Sequence, residues 1–174
     1  MSIEGNLRRV TADELRTLLA HPEQVFGFLY PEPEEESEGM TLWYEEHHLP
    51  LAKGWHALHF LLTGTSWEGA PPLNFIAAGG QKVGEEDVGY GPARSFTPEQ
   101  VREISRALDA LRPEDLRQRY DPARMDELEI YPAHSWKANA SEDVAHMLLG
   151  DFEGLRDFVR EGAEQGMGLL AYLN

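Results

Sequence analysis

Two histidines three residues apart are the side chains of this sequence best suited to acid–base or metal chemistry. His56 and His59 lie in an apolar run that ends at Gly64. At about 100° per residue, a helix places both rings and Thr63 on one narrow edge. In a pocket, an imidazole on such an edge can act as an acid, a base or a ligand. The alternative is a pair of buried rings that are hydrogen-bonded to the backbone.

A glycine-containing loop supplies the second candidate. Residues 89–94 read Gly-Tyr-Gly-Pro-Ala-Arg. The guanidinium of Arg94 is a rigid fork of five donors in a strongly acidic chain, and the ring of Tyr90 beside it can stack on a ligand ring. Binding residues are often carried by loops of this kind. The alternative is that Arg94 forms an ion pair with one of the 31 carboxylates of the chain.

Three other motifs are incomplete. Gly64-Thr65-Ser66 follows a helix, whereas a phosphate loop precedes one, so Gly64 is interpreted as a helix stop. Ser66 lacks the Gly-x-Ser-x-Gly context of an activated nucleophile. His47 and His48 follow two glutamates without the zincin spacing. The sequence therefore predicts no metal site and no cofactor.

The histidines depend on the helix that carries them. The apolar run predicts a helix that begins near Pro50, which places Ala52 on the same edge as the two rings. A second stripe is expected to face the core: Leu51, Trp55, Leu58 and Leu62.

Helix signals dominate the rest of the chain. Capping boxes begin two helices and a serine N-cap begins a third, over about 12–20, 98–111 and 141–165. Shorter helices are predicted after Pro113 and Pro122. Gly150 is expected to bend or split the last long helix.

These elements predict an α+β fold, because helices dominate and do not alternate regularly with strands. We expect a helix-rich single domain over residues 1–174, with a small mixed sheet that includes the N- and C-terminal strands. Residues 31–39 hold two prolines, five glutamates and a glycine, a composition that predicts a solvated acidic loop.

Composition restricts the partners. There are 15 basic and 31 acidic residues, which gives a net charge of −16. Nucleic-acid binding needs a basic footprint, so no nucleic-acid partner is expected. No apolar run reaches the roughly 18 residues that span a bilayer, and the N-terminus shows no secretory signal. Cysteine is absent. We expect a cytoplasmic protein without a membrane partner.

Several segments resemble, in order, the YfbM-like family of bacterial proteins, a domain of unknown function. The segments are Lys53–Gly64, Gly91–Arg94, Thr97–Val101 and Ile130–Pro132, followed by the long helix and the C-terminal strand. The resemblance implies a small soluble protein with an α+β fold. It supplies no catalytic residues to carry over. Members of the family often have an acidic residue where this chain has Ala52.

The expected function is a binding or interaction module, inhibitor- or immunity-like, that acts on a basic protein partner or a small ligand. The candidate binding residues are His56, His59, Thr63, Tyr90 and Arg94. The alternative is a small enzyme of unknown reaction, in which the histidines, the tyrosine and the arginine converge on one pocket.

Overall fold

The computed structural model describes residues 2–32 and 38–174, and its strands form one sheet. The strands are β1 (Gly5–Val10), β2 (His48–Ala52), β3 (Gln81–Lys82), β4 (Arg94–Phe96) and β5 (Gly168–Leu173). Their order is β2-β1-β5-β4-β3, so the first and last strands pair with each other, as predicted. Every ladder is antiparallel, which corrects the expectation of a mixed sheet.

The connection before β5 explains part of this arrangement. The chain returns to the end of β4, where Phe96 pairs with Leu169 at the start of β5. A parallel pair would need a crossover that brings the chain back to the beginning of β4.

Helices make up most of the remaining regular structure. They are α1 (Ala12–Ala20), α2 (Val25–Leu29), α3 (Glu38–His47), α4 (Trp55–Thr63), α5 (Pro98–Asp109), α6 (Pro113–Arg119), α7 (Pro122–Glu127) and α8 (Glu142–Glu164). A 3₁₀ turn precedes α2. This helix-rich architecture with one sheet confirms the predicted α+β class.

The long helices begin where their caps predict. In α1 the Thr11 hydroxyl accepts from the Glu14 N–H, and the Glu14 carboxylate accepts from the Thr11 N–H. An equivalent box begins α5. The Ser141 hydroxyl accepts from the Val144 N–H at the start of α8. α8 then continues through Gly150 as one helix, so it is not split there.

The sheet has an apolar cluster on each face. Along β5, Leu169 and Ala171 belong to the larger cluster, whereas Leu170 and Tyr172 belong to the smaller one. Successive residues of a strand point to opposite faces, so β5 is buried on both sides. The larger cluster takes in α4, α5 and α8, and the smaller one takes in α1 and α2.

The helix around Trp55 begins later than the sequence predicts. The residues from His48 to Ala52 pair with β1 as an edge strand, and Pro50 fits there because an edge strand can lack one donor. Ala52 has a positive φ of 46°, so it lies outside α4 and not on the histidine edge. Gly64 ends α4 in the left-handed conformation, as predicted.

The predicted acidic loop at 31–39 is described only at its ends. Residues 33–37 lie outside the described residues, and Glu38 and Gly39 already belong to α3. No helix within 2–32 or 38–174 is both long and apolar enough to cross a membrane.

Candidate functional site

His56 is a buried ring with both nitrogens engaged. Its exposed fraction is 1%. The Tyr131 N–H donates to Nδ1 at 2.9 Å, and Nε2 lies 2.6 Å from the carbonyl oxygen of Ser66. A carbonyl only accepts, so Nε2 carries the proton and the ring is neutral. Burial lowers its pKa, and the ring joins α4 to two loops.

His59 is fully buried but lacks such partners. Its exposed fraction is 0%, and neither ring nitrogen meets hydrogen-bond geometry with any part of the chain that the structure describes. Burial lowers the pKa of His59 to about 4, with smaller contributions from His56 and Arg94. The Glu68 backbone offsets part of this lowering without reaching hydrogen-bond geometry. The ring is therefore neutral at physiological pH.

Thr63 completes the predicted edge, and its hydroxyl is used locally. The hydroxyl donates to the His59 carbonyl oxygen at 2.8 Å and accepts from the Thr65 N–H at 3.2 Å. These bonds finish the last turn of α4, so Thr63 stabilises the end of the helix.

Arg94 organises a loop from the inside. Its guanidinium donates to four carbonyl oxygens of one turn: those of Phe75, Ile76, Ala78 and Gly79. Burial lowers its pKa to about 10, so the side chain stays charged at neutral pH. The expected alternative, an ion pair with a carboxylate, is replaced by a set of backbone bonds that fold residues 75–79 around one cation.

Tyr90 lies elsewhere, at the surface beside the end of β5. Its backbone N–H donates to the Leu173 carbonyl oxygen, and 43% of the residue is exposed. Of the five predicted residues, Tyr90 alone is exposed, and the other four use their polar groups within the protein or are sealed from solvent. Because both imidazoles are closed off from solvent, the five side chains do not line one open pocket.

A different part of the molecule forms an open cleft, at the junction of β2 and α8. The cleft has a volume of about 530 Å³, within the range of ligand sites. We call it the β2–α8 cleft and define it by its lining: Glu4, Leu49, Pro50, Leu51, Ala52, Lys53, Gly54, Met147, Gly150, Asp151 and Gly154. One wall is the turn that leads into α4, and the other is a face of α8.

The α8 wall owes its shape to glycine. Met147, Gly150, Asp151 and Gly154 follow the i, i+3, i+4, i+7 spacing of one helix face. A Cβ atom added at either glycine would meet no atom within 4 Å, so the space belongs to the cleft. Glycine within a helix costs about 1 kcal/mol relative to alanine. This face of α8 therefore carries fewer side-chain atoms than helix propensity alone would favour.

Asp151 gives the cleft its charge. Its Oδ2 lies 3.4 Å from the position of a Cβ built on Gly54, so the carboxylate rests against the turn before α4. The side chain reaches solvent, yet burial raises its pKa above the ordinary value, and the shift has no other resolved cause. Glu4 adds a second carboxylate, and Lys53 is the one basic residue in the described lining. The cleft thus has a net negative charge.

Sequence reasoning missed this site, because its two walls lie about a hundred residues apart in the chain. One signal was present: two glycines four apart, flanking an aspartate, in an otherwise regular helix. The expectation that Gly150 bends or splits α8 overlooks this signal, because glycines on one face of a helix can also mark a surface that is kept free of side chains. Across 2–32 and 38–174, no group of three or more histidine, aspartate or glutamate side chains is arranged to hold a metal ion.

Comparison with known proteins supports the fold and leaves the activity open. A family model described as a domain of unknown function (DUF1877) matches residues 1–172. The crystal structure of YfbM from Escherichia coli, a protein of unknown function, matches with a TM-score of 0.72 and 23% identity over 98% of this chain and 99% of that one. No curated protein matches.

Proposed function

The chain belongs to the DUF1877 family, a domain of unknown function, and from that premise we propose that it is a binding module whose β2–α8 cleft takes up an exposed segment of a basic protein partner. The observation that carries the proposal is the face of α8 formed by Gly150 and Gly154. The absence of side chains on this face keeps the cleft open, at a cost in helix stability. An inhibitor- or immunity-like role fits such a module, because binding alone then performs the task.

Charge supports a basic partner. The chain carries a net charge of −16. The first fourteen residues of α8, 142–155, hold four carboxylates and no lysine or arginine, and one of these carboxylates, Asp151, lines the cleft. Complementary potentials steer association and exclude partners of like charge.

The enzyme alternative has less support. General acid–base catalysis requires an imidazole within hydrogen-bond reach of a substrate. His56 donates and accepts within the protein, and His59 is sealed from solvent. Arg94 is committed to carbonyl oxygens of its own chain. These contacts favour structural roles for the three side chains.

The test compares capture by three forms of the immobilised protein. In Gly150→Leu the new side chain extends from the α8 wall into the cleft. Gly27→Leu is the matched control, since Gly27 lies on α2 outside the cleft and also has open space around a Cβ. We expect the wild type and the control to capture a basic protein in equimolar amounts. The amount captured by Gly150→Leu should be lower by about tenfold or more. Titration with the purified partner then gives the dissociation constants.

Equal capture by Gly150→Leu would show that the cleft is not the binding surface. Circular dichroism of the three proteins checks the fold, and Gly150→Leu should melt no lower than the wild type, because leucine has the higher helix propensity.

A further inference from the structure

The chemistry of the lining identifies what enters the cleft. Resting on the proposed binding function, we infer that the β2–α8 cleft recognises the side chain of a lysine or arginine on the partner protein. The inference draws on three features of the lining: its carboxylates, its apolar side chains and the glycines of the α8 wall.

The carboxylates give the cleft lining its negative charge. Asp151 and Glu4 both line the cleft, and no cation of the described chain forms an ion pair with Asp151. The carboxylate of Asp151 is exposed at the cleft surface, so a cation that arrives with a ligand can reach it without displacing a cation of the described chain. Hydrogen bonds from ammonium or guanidinium groups to carboxylates are among the strong ones.

The apolar walls suit the stem of such a side chain. Leu49 is partly buried and packs against the core, Pro50 is exposed at the edge of β2, and Met147 is 56% exposed on α8. Lysine and arginine lay their methylene groups along apolar surface and keep the charged head near polar groups. Methionine adapts its shape to different partners. A short cation would leave these walls uncovered.

The glycines of the α8 wall leave space for the incoming segment. Gly150 and Gly154 have no atoms within 4 Å of an added Cβ, and Gly54 contributes backbone on the opposite wall. A volume of about 530 Å³ exceeds that of one side chain, so the backbone of the partner segment can enter as well. The side chain is therefore recognised together with its peptide.

Lys53 determines how strict the recognition is. It is the one basic residue of the described lining and opposes a cationic ligand. Two carboxylates face one ammonium group, so the lining keeps a net attraction for a cation, and all three exposed charges are screened by solvent and salt. Removing its charge should strengthen binding, which distinguishes a cationic ligand from an anionic one.

The experiment uses three blocked tripeptides, acetyl-Ala-X-Ala-amide, in which X is lysine, arginine or norleucine. Norleucine keeps the stem of lysine and lacks its ammonium group. Titration of the ¹⁵N-labelled full chain is followed through the amide signals of Gly54, Gly150 and Gly154. We expect the lysine and arginine peptides to shift these signals with dissociation constants at least about fivefold below that of norleucine.

Variants separate charge from shape. Asp151→Asn should reduce the affinity for the lysine peptide to that for norleucine, and Lys53→Gln should raise it about twofold. Asp143→Asn is the control, because Asp143 is exposed in the first turn of the same helix and lies outside the cleft lining. It should leave the affinity unchanged.

The outcomes distinguish this inference from the proposed function. Equal affinity for lysine and norleucine peptides would overturn the cation assignment while the cleft still binds a segment. A lack of shifts at the three glycines with all peptides would overturn it as well. The proposed function fails separately, if a partner captured by the wild type is retained in full by Gly150→Leu.

Discussion

The two histidines of α4 show how one residue type can be fully hydrogen-bonded or left without partners within a single helical turn. His56 and His59 are both buried. One ring is joined to the backbone at both nitrogens, and the other has no partner in the described chain. Their spacing predicts that they lie near each other, but only the loops around α4 decide which ring is satisfied.

Leucine substitutions at these two positions should have opposite effects. His56→Leu leaves the Tyr131 N–H and the Ser66 carbonyl unpaired in the core, so it should reduce the free energy of unfolding at pH 7 by about 2 kcal/mol. His59→Leu removes two unpaired ring nitrogens and should keep or raise it. Urea unfolding of both variants measures the difference. Equal losses would contradict the assignment of the hydrogen bonds.

His59 should also make stability depend on pH. Its pKa is 6.5 in the unfolded chain and about 4 in the folded one, so the unfolded state binds the extra proton between these values. Stability is then fully present above pH 6.5 and falls as the pH drops toward 4, by about 3 kcal/mol.

The measurement for this prediction is the difference between His59→Leu and the wild type, which cancels the carboxylate contribution that both proteins share. The variant should gain an advantage steadily between pH 6.5 and 4. His146→Leu, at an exposed position on α8, is the control. A constant difference across this range would rule out a buried neutral ring.

Ala52 is a strained residue at the mouth of the cleft. Its φ of 46° lies in the left-handed region, which costs a residue with a Cβ about 1–2 kcal/mol. Glycine, which has no Cβ, adopts this region without that cost. Ala52→Gly should therefore raise the free energy of unfolding by about 0.5–1 kcal/mol. The same change at Ala57 inside α4 should lower it in parallel melting experiments.

At the scale of elements, two buried arginines of β1 hold the end of α3. Arg8 donates to the Tyr44 carbonyl oxygen and Arg9 donates to that of Glu46, from opposite faces of the strand. Cations are favourable at a helix C-terminus, where the carbonyl groups lack partners. Because β2 follows α3 directly, this contact also positions one wall of the cleft.

Arg9→Met should weaken this junction. The methionine keeps an apolar stem but loses the guanidinium that lies over the Phe158 ring and bonds to Glu46 and Glu161, so the free energy of unfolding should fall by about 1–3 kcal/mol. Arg16→Met, which removes an exposed ion pair with Asp13 on α1, should change it by less than about 0.5 kcal/mol. Equal effects in urea unfolding would show that the buried arginine contributes no more than a surface one.

The helices that begin with side-chain caps were predictable from local chemistry, whereas α3 and β2 were not. Thr11 and Thr97 cap their helices through side-chain hydrogen bonds to residues three positions later, so no distant contact is needed to define where these helices begin. The residues at 48–52 are apolar enough for helix or strand, and their pairing with β1, more than forty residues away, decides between the two. The cleft was missed for the same reason, since it exists only when α8 packs beside β2.

At the scale of the whole molecule, the net charge of −16 should act mainly on the rate of association. Long-range attraction to a basic partner is screened by salt, so the association rate constant should fall about tenfold between about 0.05 and 0.5 M sodium chloride. The dissociation rate should change little, because the contacts inside the cleft are short-ranged. Surface plasmon resonance measures both rates. A salt-independent association rate would argue against electrostatic steering.

The position of β5 has a consequence for biosynthesis. It lies between β1 and β4 in the sheet, yet it follows the other described strands in the chain and is synthesised after them. Until residues 168–173 emerge, β1 has only β2 beside it, and the pair β3–β4 has no connection to it through the sheet. Any β1–β2 pair that forms before residues 168–173 emerge therefore has an unpaired edge on β1, and β5 completes the sheet.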